Sequence, residues 1–354
     1  MGRVVELSGR PVGRGESIFL IGEIGVNHNG DVGIARKLID SADELGLDAV
    51  KFQSFRAERL VLKGTSKTDY QLNTTGVEGD QFGMLKSLEL SPGEMHELMG
   101  YAENKGLVFI CTPYDPLSAG ELAEIGIKVI KISSADLVDA LLLRAVAAAR
   151  VPVILSTGMS GLEDTRRAVN LLEREGVQDI ILLHCVSMYP TPEQALNLRF
   201  IEVLYDTFNY PVGFSDHTMG SAASPLAVAA GACVIEKHFT LDSDMEGPDH
   251  RASLDPEGMR VLVERVRAAG KMLGTYEKEI AIAEQANTGL MRKSLVFAQD
   301  LPAGTILTYE HLAAKRPATG VSPMEYENFV GLKLARDVKM DELLIEELFR
   351  PLEE

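Results

Sequence analysis

Residues 129–158 read VIKISSADLVDALLLRAVAAARVPVILSTG, and this stretch decides the fold. A short apolar run, Val129–Ile132, leads through a polar turn into an apolar-periodic stretch, Asp139–Ala149, and then into a second apolar run, Pro152–Ser156. Consecutive apolar positions rich in Val and Ile mark a parallel strand covered on both faces, and the longer stretch marks the crossover helix. The same unit repeats outward in both directions. Strands are expected at Ile18–Ile24, Asp48–Gln53, Leu107–Cys111, Ile180–Cys185, Pro211–Phe214 and Cys233–Glu236. Helices are expected at Val32–Leu45, Pro92–Lys105, Pro116–Ile125, Glu163–Arg174 and Pro225–Gly231. Eight strands with helices between them, over roughly 250 residues, predict an α/β (β/α)8 TIM barrel; a doubly wound open sheet is the alternative, and the count of eight decides against it.

Two features interrupt the alternation. Phe55 to Ser87, which includes Lys63-Gly64-Thr65-Ser66-Lys67, is polar and too long for a βα turn, and such loops are usually functional or mobile. After a helix at Pro256–Leu273 the texture changes. Residues 1–274 read as the barrel domain, 275–291 as a linker and 292–354 as a small β-rich domain. That last domain has short β-like runs at Ser294–Ala298 and Thr305–Leu307, with turns at Pro302-Ala303-Gly304 and Pro317-Ala318-Thr319-Gly320. Domains of this size are marginal alone, so it is expected to lean on the barrel or on a second subunit.

Composition sets the outer bounds. The 354 residues carry 35 Lys+Arg against 52 Asp+Glu, a net charge of −17, which argues against a nucleic-acid partner. No apolar run reaches membrane-spanning length; Arg144 and Arg150 break the best one. Cys111, Cys185 and Cys233 are too few and odd in number for a disulfide framework, and are expected to pack as small apolar groups in a reducing compartment. Met1–Ser17 has no apolar core of a secretory signal, so a cytoplasmic protein is expected.

Function in a parallel barrel gathers at the C-terminal ends of the strands, and here every strand end is polar. A period of two puts Lys51 and Gln53 on one side of the second strand, and turns Glu236 and His238 inward together on the eighth while Lys237 points away. Three chemical groups emerge. Lys51 and Lys131, with the hydroxyls of Thr112, Ser134, Ser156, Ser187 and Ser215, suit a small phosphate or carboxylate. His217 and His238, from adjacent strands, form a metal-ligand pair whose remaining positions water or substrate oxygens would fill. Glu23, Asp136, Glu236 and Asp249 supply acid and base. Blander readings stand beside these: a lone strand-end histidine is more often structural, a strand lysine is usually a satisfied ion pair, and serines there often cap helices. His28, His184 and His250 are assigned structural or supporting roles, and Met159, Met188 and Met219 packing roles.

The segments Glu23-Ile-Gly-Val-Asn-His-Asn-Gly30, Lys51-Phe-Gln53, Cys111-Thr-Pro-Tyr-Asp115, Lys131-Ile-Ser-Ser-Ala-Asp136, Ser156-Thr-Gly-Met159, His184-Cys-Val-Ser-Met-Tyr-Pro190, Gly213-Phe-Ser-Asp-His-Thr218, Glu236-Lys-His-Phe-Thr240 and Gly247-Pro-Asp-His250 together resemble the sialic acid synthase (N-acetylneuraminate synthase) family. The tail from Arg292-Lys-Ser294 through Lys315-Arg-Pro317 resembles the antifreeze-like (SAF) domain that ends those enzymes. The resemblance implies condensation of phosphoenolpyruvate with N-acetylmannosamine or a related acylated amino-sugar, giving N-acetylneuraminate and phosphate by carbon–oxygen cleavage; legionaminate and pseudaminate synthases are the alternatives. It implies a divalent metal, manganese or magnesium, on His217 and His238, and a phosphoenolpyruvate cradle from Lys51, Thr112, Lys131, Ser134, Ser156, Ser187 and Ser215. Gln53, Tyr114, Tyr189 and Asp249 resemble sugar contacts, and Glu23 a catalytic acid/base, with Glu236 and Asp136 beside it. Arg316 is similar to an arginine that reaches the partner's site in a domain-swapped homodimer. Ser187 for Asn, Asp136 for Glu and Ala318 for Gly depart from the family's pattern, and the first two bear on acceptor preference. Two rivals make different predictions. A Schiff-base aldolase on Lys131 would be trapped by borohydride with pyruvate. A sugar-binding protein working through its tail would tolerate loss of Lys51, Glu23 and His238.

Overall fold

The computed structural model describes residues 2–75, 79–275 and 277–349, except the side chains of residues 69, 70 and 73. Parts of two expectations, the end of the C-terminal domain at 350–354 and residues 76–78 of the long segment, lie outside the described residues. The chain divides into two compact units, Met1–Gly274 and Thr275–Glu354.

The first unit opens with an antiparallel hairpin, β1 (Val5–Leu7) and β2 (Arg10–Val12), followed by eight parallel strands. These are β3 (Phe19–Gly25), β4 (Ala49–Ser54), β5 (Val108–Pro113), β6 (Ile130–Ile132), β7 (Val153–Ser156), β8 (Ile180–Cys185), β9 (Val212–Asp216) and β10 (Val234–His238). They close into a barrel in chain order, with β10 paired to both β9 and β3. Around them lie α1 (Val32–Glu44), α2 (Ala57–Leu60), α3 (Asp69–Thr75), α4 (Gln81–Lys86), α5 (Pro92–Asn104), α6 (Pro116–Glu124), α7 (Ala140–Ala148), α8 (Leu162–Arg174), α9 (Phe200–Phe208), α10 (Ala223–Ala229) and α11 (Pro256–Leu273). The TIM barrel expected from the eight apolar runs is the fold.

The alternation of each strand sorts two apolar layers. Outward residues such as Leu20, Val50, Phe52, Phe109, Ile130, Leu155, Leu182 and Phe214 pack with the helices in one large core. Inward residues nearer the strand starts form a second core, in which Phe19, Ile21, Ala49, Val108, Ile110, Val129, Ile154, Ile181, Leu183 and Val234 meet Val5, Leu7 and Val12 of the hairpin. The hairpin thus plugs the N-terminal mouth, and only the opposite mouth is left for a site. Helix starts are fixed locally: Asp139 accepts from Leu141 N and Leu142 N at 2.9 and 3.1 Å, and Ser91 and Glu94 form a reciprocal capping box.

The structure adds what the patterning missed. The hairpin and α9 were not expected. The segment Phe55–Ser87 is not one loop but carries α2, α3 and α4, tied by Asp80, whose carboxylate accepts from Gly83 N and Gly64 N, each at 2.8 Å. These helices are too short to show a helical period. The second unit holds α12 (Ile282–Met291) inside the stretch read as linker; it has no side-chain cap and buries no residue, so neither start signal nor apolar stripe marked it. β11 (Ser294–Phe297) pairs with β12 (Leu312–Lys315), whereas Thr305–Leu307 gives a single bridge, Ile306 to Lys333. This unit has an apolar core of its own, including Leu295, Phe297, Leu307, Phe329, Leu334 and Leu344. Among the described residues no helix is long and apolar enough to cross a membrane.

Candidate active site

Above the apolar floor, the inward positions turn polar one after another: Glu23 on β3, Lys51 and Gln53 on β4, Thr112 on β5, Lys131 on β6, Ser156 on β7, Cys185 on β8, Ser215 on β9, Glu236 and His238 on β10. They line a cavity of about 830 Å³ at the C-terminal mouth, joined by Ser134, Ser187, Tyr189, His217 and Asp249 from the following loops and by Tyr114.

Lys51 is the hub. Its Nζ lies 2.9 Å from Glu23 Oε2 and 3.7 Å from Glu236 Oε2, and all three side chains are buried. Gln53 Nε2 donates to Glu23 Oε1 at 3.0 Å, and Ser215 Oγ donates to Glu236 Oε1 at 2.8 Å. Burial works against the Lys51 charge, but Glu23 and Glu236 outweigh it and hold its pKa up. The two carboxyls are pushed apart. Burial, reinforced by Glu236, raises Glu23. Burial also opposes the Glu236 charge, yet Lys131, Lys51 and the Ser215 hydroxyl together bring its pKa down to about 2. A pair separated in this way divides the work: Glu236 stays ionised and Glu23 can carry a proton. Burial lowers Lys131, whose Nζ donates to the Ile132 carbonyl at 3.0 Å.

Beside the lysines sits a hydroxyl cradle. Ser134 Oγ accepts from Gly158 N at 3.0 Å, and a Cβ on Gly158 would stand 2.4 Å from Ser187 Oγ and 2.7 Å from Ser134 Oγ. Only glycine leaves this hollow open. Ser156 Oγ is buried with no hydrogen-bond partner.

The two imidazoles meet across the mouth with ring centroids 5.5 Å apart, and the Tyr189 ring lies 4.3 Å from His217 and 5.9 Å from His238. His217 turns Nδ1 to the Val186 carbonyl at 3.0 Å, which leaves the Nε2 lone pair for a ligand. His238 is held neutral by burial and by the neighbouring His217 and Lys51, and its Nδ1 is buried without a partner. These features fit a divalent cation held by two nitrogens. Among the described residues no group of three or more His, Cys, Asp or Glu could hold a metal, so water or substrate oxygens would complete the coordination.

One expected site residue of the barrel stands apart. Asp136 does not line the cavity: β6 ends at Ile132, the next residues turn, and the Asp136 carboxylate accepts from Ser133 Oγ at 2.6 Å. A period of two counted from inward-facing Lys131 does not aim position 136 into the barrel, and the strand ends before reaching it. Arg316 belongs to the second unit, where its Nε donates to the Met291 carbonyl at 2.8 Å. Among the bystanders, His184 points outward to the Leu196 carbonyl, and His250 bonds Thr240 Oγ1 at 2.6 Å and Asn29 Oδ1 at 3.2 Å. Other residues line the cavity unforeseen. Cys185, expected to pack like Cys111 and Cys233, sits 3.8 Å from His217 Nδ1; the alternation Ile181-Leu183-Cys185 was the signal. Met159 and Met188 line the mouth and are largely exposed rather than packed. Phe55, Gln71, Gln81, Met84 and Leu88 build one wall, which no strand pattern could place.

Asp249 offers a pH test. Burial and the Glu23 carboxylate push its carboxyl up to about 6. The native state therefore keeps a proton that the unfolded chain releases near pH 4, so this residue costs stability increasingly as pH rises from 4 to 6. Asp249→Asn should be the more stable form above pH 6, by on the order of 1–3 kcal/mol. The two proteins should converge below pH 4 when unfolded by denaturant; equal stability at pH 8 would contradict this.

A closed parallel barrel with one polar mouth, two buried lysines, a hydroxyl cradle and paired imidazoles defines the class: a TIM-barrel enzyme. The chain belongs to the NeuB family, whose model matches residues 38–278, and a SAF domain is matched at residues 292–349. It is 43% identical over 330 residues to the N,N'-diacetyllegionaminic acid synthase of Campylobacter jejuni, covering 93% of this chain and 99% of that one. The enzyme of the same name from Legionella pneumophila is 41% identical over 95% of this chain and 96% of its own. Among solved structures, the N-acetylneuraminic acid (sialic acid) synthetase of Leptospira borgpetersenii superposes with a TM-score of 0.72 at 32% identity, covering 81% of this chain and 95% of that one.

Proposed function

We propose that this protein is a nonulosonate synthase, joining the methylene carbon of phosphoenolpyruvate to the aldehyde carbon of an open-chain acylated amino-sugar to give a nine-carbon 2-keto acid and phosphate. One observation carries the reading: Lys51, Lys131, five hydroxyls and the His217–His238 pair meet in a single cavity on a chain of the NeuB family. N-acetylmannosamine was the expected acceptor. A six-carbon sugar with two acetamido groups is better supported, because the relatives at 43% and 41% identity are named for N,N'-diacetyllegionaminic acid and the sialic acid synthetase is 32% identical.

Lys51 and Lys131 take the donor's anionic ends as point charges, with the hydroxyls of Thr112, Ser134, Ser156, Ser187 and Ser215 around them. Holding donor and acceptor together turns a two-body encounter into a fixed geometry. In this reading Gln53, Tyr114, Tyr189 and Asp249, which line the same cavity, contact the acceptor. The enol electron pair forms the new carbon–carbon bond, Glu23 gives its proton to the former aldehyde oxygen, and the ionised Glu236 stabilises positive charge at the donor's second carbon. Water adds at that carbon and returns a proton to Glu23. The carbon–oxygen bond to phosphate then breaks as the new hydroxyl gives its proton to the departing phosphate, leaving the keto group. A divalent cation, manganese or magnesium by resemblance, would be held by His217 and His238 and would supply Lewis-acid polarisation. The reading extends to a homodimer in which Arg316 serves the partner's site, supported by the SAF match and the Lys315-Arg-Pro317 motif. A cytoplasmic setting is supported by the three cysteines, all free.

Phosphate release from phosphoenolpyruvate should be measured against a panel of mono- and diacetamido hexoses, with and without chelator. Release should require a sugar, be fastest with a diacetamido one, and stop on chelation. Donor labelled with ¹⁸O at the bridging position should deliver the label to inorganic phosphate; label kept in the sugar acid would reject the pathway.

A further inference from the structure

His217 stands one residue beyond the last rung of the β9–β10 ladder, which pairs Asp216 with Lys237. His238 ends β10 and has no β9 partner beyond that rung. The β9–β10 ladder therefore stops just before the imidazoles: β10 runs on only against β3, through the pairing of His238 with Glu23, and no rung ties His217 to His238. On the outer face of the same rung, Lys237 Nζ lies 3.2 Å from Asp216 Oδ1, with the two side chains 1% and 0% exposed. Asp216 Oδ1 also accepts from Thr218 N at 2.9 Å and Thr218 Oγ1 at 2.7 Å, closing a turn directly around His217. Its Oδ2 accepts from Ser224 Oγ of α10 at 2.7 Å, and Lys237 Nζ donates to the Thr218 carbonyl at 2.5 Å.

A buried ion pair is a poor way to add stability, since an apolar pair of similar volume is often equal or better. What it adds over an apolar pair is direction. We propose that Asp216 and Lys237 are the positioning residues of the two-imidazole site, locking the last rung and the turn after it so that His217 and His238 face one cation. The proposal rests on the reading of those histidines as cation ligands. It places a buried pair on the back of the sheet in command of a site on its front.

The test is titration of the metal-stripped full-length protein with Mn2+, followed by the EPR signal of free ion, which reads affinity per folded molecule independently of turnover. The unaltered protein should bind one ion per chain. Lys237→Met should weaken binding about 10- to 100-fold, the range found when a supporting partner of a metal ligand is lost. Ser224→Ala, which removes one hydrogen bond and keeps a good helix former in α10, should weaken it about threefold and decides the matter if Lys237→Met does not fold. A folded variant that binds Mn2+ as tightly as the unaltered protein would overturn the positioning role. Absence of Mn2+ binding in the unaltered protein would instead remove the ligand reading itself.

Discussion

Lys51→Met should lose about two to three orders of magnitude in turnover, the scale of losing one preorganised electrostatic group at a reacting centre. It should also lose about 3–5 kcal/mol of unfolding free energy, because a buried carboxylate is left without its partner. The reason is the hub geometry: Glu23 at 2.9 Å and Glu236 at 3.7 Å both depend on this ammonium. Without it, the Glu23 pKa, already raised by burial, climbs further. A carboxyl whose native pKa is raised favours the folded state at low pH and penalises it as pH rises, so the deficit should shrink below pH 4 and reach its full size at neutral pH. The double change Lys51→Met with Glu23→Gln should recover roughly half of the lost stability and none of the turnover. Denaturant unfolding at pH 4 and pH 8, with phosphate release measured alongside, checks each part. A single variant as stable as the parent at pH 8 would show that the cluster is not buried as described.

The second large effect lies at the bottom of the barrel. Gly213→Ala should destabilise by about 3 kcal/mol, at the upper end of the overpacking range. Gly213 faces inward on β9, and a Cβ there would stand 2.6 Å from Leu183 Cδ2, from Val234 Cβ and from the Val234 carbonyl oxygen. None of these can swing aside cheaply: Leu183 and Val234 are buried in the inner core, and the oxygen belongs to the β10 backbone. The change adds a single methyl group and no charge, so a full-sized loss would be a direct reading of how tightly the interior closes. A loss under about 0.5 kcal/mol, ordinary for a surface position, would mean that the barrel relaxes around the methyl.

How far the sequence could be read follows the same physics. Strands β3 to β10 were legible because a parallel strand covered on both faces writes a run of consecutive apolar residues, and their inward columns because a period of two extends over any strand. That is why Lys51 with Gln53, and Glu236 with His238, could be assigned to one side before any coordinates. Asp136 was assigned instead from its place after the strand end and from the family motif, and β6 stops at Ile132, short of it. Cys185 was within the rule's reach and was overlooked. The wall from Phe55 to Leu88 was outside it, because α2 and α4 span one or two turns and are held by contacts such as Asp80 to Gly64.

By itself, then, the sequence determined the barrel, its polar mouth and the family, all written in short-range periodicity and in motifs along the chain. The tertiary structure alone decided which carboxyl keeps its proton, how far apart the imidazoles stand, and that a buried ion pair lies behind them. Those properties arise from distances between strands far apart in the chain and from the exclusion of water, neither of which local sequence encodes.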